Sequence, residues 1–115
     1  MKVVFARSIL KKENIKEEKE ELIKAYSKGI FAIIKGYSLP KNSQLIKLYI
    51  HSKRAVFLVD TKSKDGFFLF YRTKKDPIGR NITIKNTKFK ERLTYYLLLL
   101  KEDIKNNNLE EISLG

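Results

Sequence analysis

The residues with chemical potential in this chain are Lys, Arg and Tyr. Acids are few where the cations are dense, and there are no thiols. The chain has 115 residues, with 25 Lys and Arg against 13 Asp and Glu, a formal net charge of +12, one His and no Cys. Residues 35–92 alone hold 15 of the cations and four acids, a net +11, interleaved with Tyr and Phe. The first ten residues carry +2, residues 11–34 carry +1, and residues 93–115 carry −2. A basic, aromatic-rich segment fits a surface that holds phosphate, with cations on the backbone and rings stacked on bases. The alternative is a solvated Lys-rich face that binds nothing in particular.

Other chemistries are excluded or weakened by what is missing. Without Cys there is no disulfide scaffold, thiolate zinc site or cysteine nucleophile. One His rules out any site needing two imidazoles, and Ser/His/Asp catalysis would have to use His51 without a G-x-S-x-G elbow. Asp60, Asp65 and Asp76 fall at turn positions, where Asp is common anyway. Gly79 stands alone, so there is no Gly-rich phosphate loop, and the basic segment is too poor in acids for a divalent-metal nuclease. No cofactor is implied. RNA cleavage through the 2′-hydroxyl remains compatible: Arg can clamp the phosphate, Lys can neutralise the growing charge, and a Tyr or Lys with a depressed pKa can move a proton.

The elements that must position these residues read as one α+β domain over 1–107, followed by a flexible tail at 108–115. Residues 2–9 predict a first strand. Asn14 can cap a helix with Glu17 in the capping-box position, and Ile15, Leu22, Ile23 and Tyr26 share a face. Gly29 ends or interrupts it. The apolar run Ile30–Ile34 has no periodicity and is read as more helix, to about Lys35. Residues 36–43 are a loop. Leu45–His51, Arg54–Asp60 and Phe67–Arg72, with a turn at 61–66, predict an antiparallel meander, so the sheet has three to four strands. Residues 76–79 read as a turn and Ile82–Ile84 as a short strand. Asn86 or Thr87 caps a last helix with the stripe Phe89, Leu93, Tyr96, Leu97, Leu100 and Ile104, which leaves Leu98 and Leu99 as surplus apolar residues for a partner or a second copy. No apolar run reaches the ~18 residues of a membrane span, and no signal peptide is evident, so the reading is a soluble protein of the cytoplasm.

Arg54–Asp60, a short turn, then Asp65-Gly66-Phe67-Phe68-Leu69-Phe70-Tyr71-Arg72-Thr73-Lys74-Lys75 resembles the RelE/ParE toxin superfamily, its HigB-like branch in particular. The resemblance covers residues 2–105 in architecture and 54–75 in residue detail. It implies an mRNA endonuclease, acting without metal and often on the ribosome, neutralised by an acidic antitoxin. By the same resemblance Arg54 and Arg72 are phosphate clamps, Lys74 or Lys75 stabilises charge, and Tyr71 stacks or transfers a proton. Lys47, Tyr49, Lys53, Arg80 and Lys85 are further nucleic-acid contacts. For Tyr71 the alternative is a core or edge aromatic. The stretch Asp76–Ile84 has no counterpart in the family pattern. One branch of the superfamily poisons gyrase without cutting RNA, so fold alone does not set activity. Two other readings stand beside it: a non-catalytic nucleic-acid-binding protein, and a small basic inhibitor or mobile-element accessory protein that binds an acidic partner.

Overall fold

A computed structural model describes residues 1–73, 75–76 and 82–114. Six strands form a single mixed sheet in the order β2-β3-β4-β5-β1-β6. The meander is present as predicted: β3 (Ser43–Ile50), β4 (Lys53–Asp60) and β5 (Gly66–Thr73) pair antiparallel. The sheet is larger than three or four strands and is not purely antiparallel. β1 (Lys2–Ala6) lies parallel to β5, with Val3 opposite Gly66 and Phe5 opposite Phe68. Val3, Val4, Phe5 and Ala6 are all buried, as an inner strand covered on both faces must be.

The first strand ends at Ala6 rather than Ile9 because Arg7–Lys12 turns into helix α1. The Asp103 carboxylate, far along the chain, accepts hydrogen bonds from the Ser8 backbone N–H and the Ser8 hydroxyl, both at 2.8 Å. It satisfies donors that the start of a helix leaves open. Burial opposes this charge, but the Ser8 and Asn108 bonds outweigh it and hold the Asp103 carboxyl below its usual range. The second helix, α2, begins at Lys19 rather than just after Asn14 and runs to Lys28. Gly29, with φ of 69°, ends it in the left-handed conformation that Gly adopts without a Cβ penalty.

Two segments differ in kind from the sequence reading. Phe31–Ile34 is strand β2, not helix, and pairs with β3 from Phe31↔Leu48 to Ile34↔Leu45. The termination at Gly29 frees this apolar run to cover an open edge of the meander. Leu109–Ser113, read as a flexible tail, is strand β6 and pairs antiparallel with β1 from Lys2↔Ser113 to Ala6↔Leu109. Asn107, with φ of 54°, turns the chain back, and Arg7 N–H donates to the Asn108 carbonyl at the entry. Ile82–Ile84 is not a strand: Ile82 is buried and residues 83–85 form a turn. Apart from Asp76, the turn read at 76–79 lies outside the described residues. Helix α3 (Thr87–Lys105) starts at the predicted cap and spans the predicted stripe, and the Asn86 side chain accepts from the Lys88 and Phe89 N–H groups.

α2 packs on one face of the sheet and α3 on the other. A register shift between Val56 and Phe57 makes this possible. Phe57 pairs with Phe68 but Val56 pairs with Phe70, which leaves Leu69 as the extra residue of a bulge. Phe68 and Phe70 therefore serve opposite faces. Phe68 meets Phe57 and Phe5, both at 5.6 Å between ring centroids, and Tyr26 of α2 stacks on Phe57 at 5.2 Å. Phe70 meets Phe89 and Tyr96 of α3 at 5.8 and 5.4 Å.

The Tyr26 ring lies so close to Gly66 that a Cβ there would sit 2.3 Å from Cε1. Its hydroxyl donates to the Lys64 carbonyl at 2.8 Å. Gly66→Ala should therefore cost about 1–3 kcal/mol by overpacking, read as a lowered urea midpoint; a change under about 0.5 kcal/mol would show that the ring yields. Burial, then the nearby Asp65, pushes the Tyr26 phenol up to about 12. The folded state thus holds this proton more tightly than the unfolded chain, whose tyrosines titrate near 10. The associated stability is complete below about pH 10 and is lost as pH rises toward 12. Denaturation from pH 8 to 11.5 should show a shallower alkaline loss in Tyr26→Phe than in the wild type.

Candidate nucleic-acid interface

Strand alternation sorts the predicted site residues before any of them can act together. Tyr49 pairs with Arg54 and Arg54 with Arg72, so these three share the α3 face of the sheet. Lys47 lies two residues before Tyr49 and joins them. Tyr71 and Lys53 fall on the opposite face, where Glu18 and Glu21 on and beside α2 act on both. The adjacent pair Tyr71-Arg72 is thus divided by the thickness of the sheet. Lys75 and Lys85 are exposed, the first just beyond β5 and the second in the turn before α3. Lys74 and Arg80 lie outside the described residues.

Arg72 is committed to the interior. Its Nη1 donates to Glu13 Oε1 at 2.5 Å and to the Tyr71 carbonyl at 2.7 Å, and its guanidinium lies 5.5 Å from the Phe70 ring. Glu13 Oε1 also accepts the Tyr71 N–H at 2.9 Å, and Oε2 accepts the Tyr96 hydroxyl at 2.7 Å. Only 5% of the Glu13 side chain and 19% of the Arg72 side chain are exposed. Burial pulls the Arg72 pKa down, but the Glu13 bond and charge outweigh it and the guanidinium ends above its usual value. Burial, then Glu13, raises Tyr96. A cation neutralised in this way is not free to clamp a phosphate. Glu13 was not legible as a site residue: it is one acid between Lys12 and Asn14.

On the α2 face, the Tyr71 hydroxyl is buried and, among the described residues, has no hydrogen-bond partner. The Lys53 ammonium stands 5.5 Å from the Tyr71 ring centroid. Burial raises the Tyr71 pKa against the opposing pull of Lys53, and Tyr71 in turn raises Lys53. Proton transfer at neutral pH needs shifts in the other direction.

The free cations gather around Tyr49. The Arg54 guanidinium lies 4.6 Å from the Tyr49 ring centroid and the Lys47 ammonium 5.8 Å from it. Nη1 of Arg54 donates to the Lys53 and His51 carbonyls at 2.8 and 3.1 Å, which fixes the guanidinium over the ring. Tyr49 is 42% exposed. Among the described residues neither Lys47 nor Arg54 has a carboxylate partner. The absence has a cause in the chain: from Leu22 to Val59 there are seven Lys and Arg and no Asp or Glu. An exposed ring braced by two unpaired cations can stack a base while holding its phosphate. Among the described residues no three His, Asp or Glu side chains come together as a metal site, and no helix is long and apolar enough to cross a membrane.

Compared with known proteins, the chain matches no protein-family model, no curated protein and no solved structure. Its function must be argued from the site.

Removing one partner of a buried ion pair typically costs 3–5 kcal/mol. Arg72→Ala and Glu13→Ala should each lower stability by about that much, with a double variant well short of the sum. Urea denaturation of the three variants checks this. If Arg72→Ala shifts stability by less than about 0.5 kcal/mol, as surface substitutions do, the pair is not structural and Arg72 is available to a ligand.

Proposed function

We propose that the protein binds single-stranded RNA at the Lys47–Tyr49–Arg54 cluster and cleaves it without metal, as a toxin neutralised by an acidic antitoxin. The observation that carries the RNA-binding half is the Tyr49 ring, open to solvent and flanked by two cations that have no carboxylate partner among the described residues. The charge of +12 supports it by drawing polyanions to the surface. The cleavage half is supported by part of the order of elements, a strand, two helices, a meander and a long helix, which the resemblance to RelE/ParE toxins implies, while β2 and β6 are additions to that pattern.

In this reading Arg54 and Lys47 neutralise the phosphate that the RNA 2′-hydroxyl attacks, and Tyr49 stacks the neighbouring base. Lys75 supplies further positive charge from the end of β5. Arg72 acts at one remove, by holding β5 against Glu13 and α3. Arg54 is therefore a better probe of function than Arg72, whose loss also damages the fold.

A second reading, a non-catalytic nucleic-acid-binding protein, is favoured by one specific observation. Tyr71 and Lys53 have pKa values raised rather than lowered, so the expected proton-transfer pair is poorly suited to that task.

Cleavage of RNA in EDTA, with and without ribosomes, separates the two readings. The wild type should cleave and arrest growth when expressed, and Arg54→Ala should reduce cleavage by at least about a hundredfold, since lost transition-state charge stabilisation is typically worth that much. Salt-dependent RNA binding that weakens in Lys47→Ala, with a slope lower by about one unit, but with no cleavage and no arrest, would establish the binding protein instead.

A further inference from the structure

The two edges of the sheet are treated differently. β6 is blunted by charge: it carries two acids, with Glu111 bonded to Lys2 at 3.0 Å and Glu110 paired with Lys19. Charges of this kind protect an edge from pairing with another chain. β2, at the other end, has no such protection. All four of its residues, Phe31-Ala32-Ile33-Ile34, are apolar, and among the described strands it pairs only with β3. Phe31 is 45% exposed, Ile33 46% and the preceding Ile30 65%. Phe31 and Ile33 share the α2 face, since their partners Leu48 and Ile46 do. Beside them the same face holds a concavity of about 210 Å³, lined in part by Tyr26, Phe31, Ile46 and Val59. Backbone donors and acceptors, two apolar side chains and an apolar hollow are thus aligned along one unprotected edge.

We propose that the β2 edge receives an extended segment of a partner protein, added antiparallel or parallel as a seventh strand, with apolar side chains on Phe31 and Ile33 and acidic residues at its flanks. Charge decides the occupant. β2 lies within the acid-free stretch 22–59, with Lys28 before it, Lys35 after it and Lys47 opposite Ala32 on β3. A second copy of the chain would set the same cation-flanked edge against itself, where like charges repel. An acid-flanked strand gains from the same charges, while the main-chain ladder supplies affinity and the apolar pair supplies register. The inference rests on the fold and the charge pattern, and it stands whether or not the Tyr49 cluster cleaves RNA.

The probe is a short synthetic peptide of alternating Val and Thr with paired Glu at each end, compared with a twin carrying Lys in place of Glu. Fluorescence anisotropy should show the Glu peptide binding at least about tenfold more tightly than its twin, a difference of about 1.4 kcal/mol. Hydrogen exchange should slow at Phe31–Ile34 on binding. Ile33→Asp, an exposed position whose folding is checked by circular dichroism, should weaken the Glu peptide by about the same factor. Equal affinity for both peptides, no detectable binding, or protection confined to another element overturns the proposal. So does a dimer by light scattering that Ile33→Asp dissolves, which would make the occupant a second copy. RNA cleavage by the same preparations is scored separately, so failure of either proposal leaves the other readable.

Discussion

Placing a carboxylate beneath a sheet is unfavourable unless every oxygen finds a partner, and Glu13 meets that demand with three separate parts of the chain. It takes the Arg72 guanidinium and the Tyr71 N–H from β5 and the Tyr96 hydroxyl from α3. The segment leading out of α1 is thereby tied to the last strand of the meander and to the long helix above it. Half-satisfied networks of this kind are worse than an apolar core, so the three elements must dock together or not at all. Asp103 does similar work nearby, joining α3 to the start of α1 through Ser8. Two buried acids in a strongly basic protein thus hold its layers in place.

The bulge at Leu69 has a comparable reach. Without the shift between Val56 and Phe57, Phe68 and Phe70 would press on the same face and one helix would lose its aromatic anchor. With it, each face gains a stacked cluster, Tyr26–Phe57–Phe68–Phe5 on one side and Phe70–Phe89–Tyr96 on the other. The same alternation sends Arg72 to Glu13 and Tyr71 toward Lys53. The aromatic and basic residues that look like one motif in the chain become a structural ion pair on one face and a cation–ring contact on the other.

The surface left over is set by charge. Between Leu22 and Val59 no acid is present to neutralise a cation, and that stretch supplies both the Tyr49 cluster and the bare β2 edge. Both proposed surfaces, one for a polyanion and one for an acid-flanked strand, draw on that single feature of the sequence.

The chain by itself determined the concentration of charge, the meander and the long helix with its Asn86 cap, because each depends on neighbouring residues: turn chemistry, alternation, helical spacing and capping. Tyr49, Lys47 and Arg54 were legible as candidates through the resemblance to a toxin family, within the basic, aromatic-rich segment. Only the tertiary structure decided what β2, β6, α1 and Arg72 became. An apolar run of four residues is as good a helix as a strand until an open sheet edge is beside it. Leu109–Ser113 is too short to announce a strand, and it becomes one because β1 offers an unpaired side. The α1 cap and the Arg72 partner lie 95 and 59 residues away in the chain. No local pattern reports contacts made over such distances.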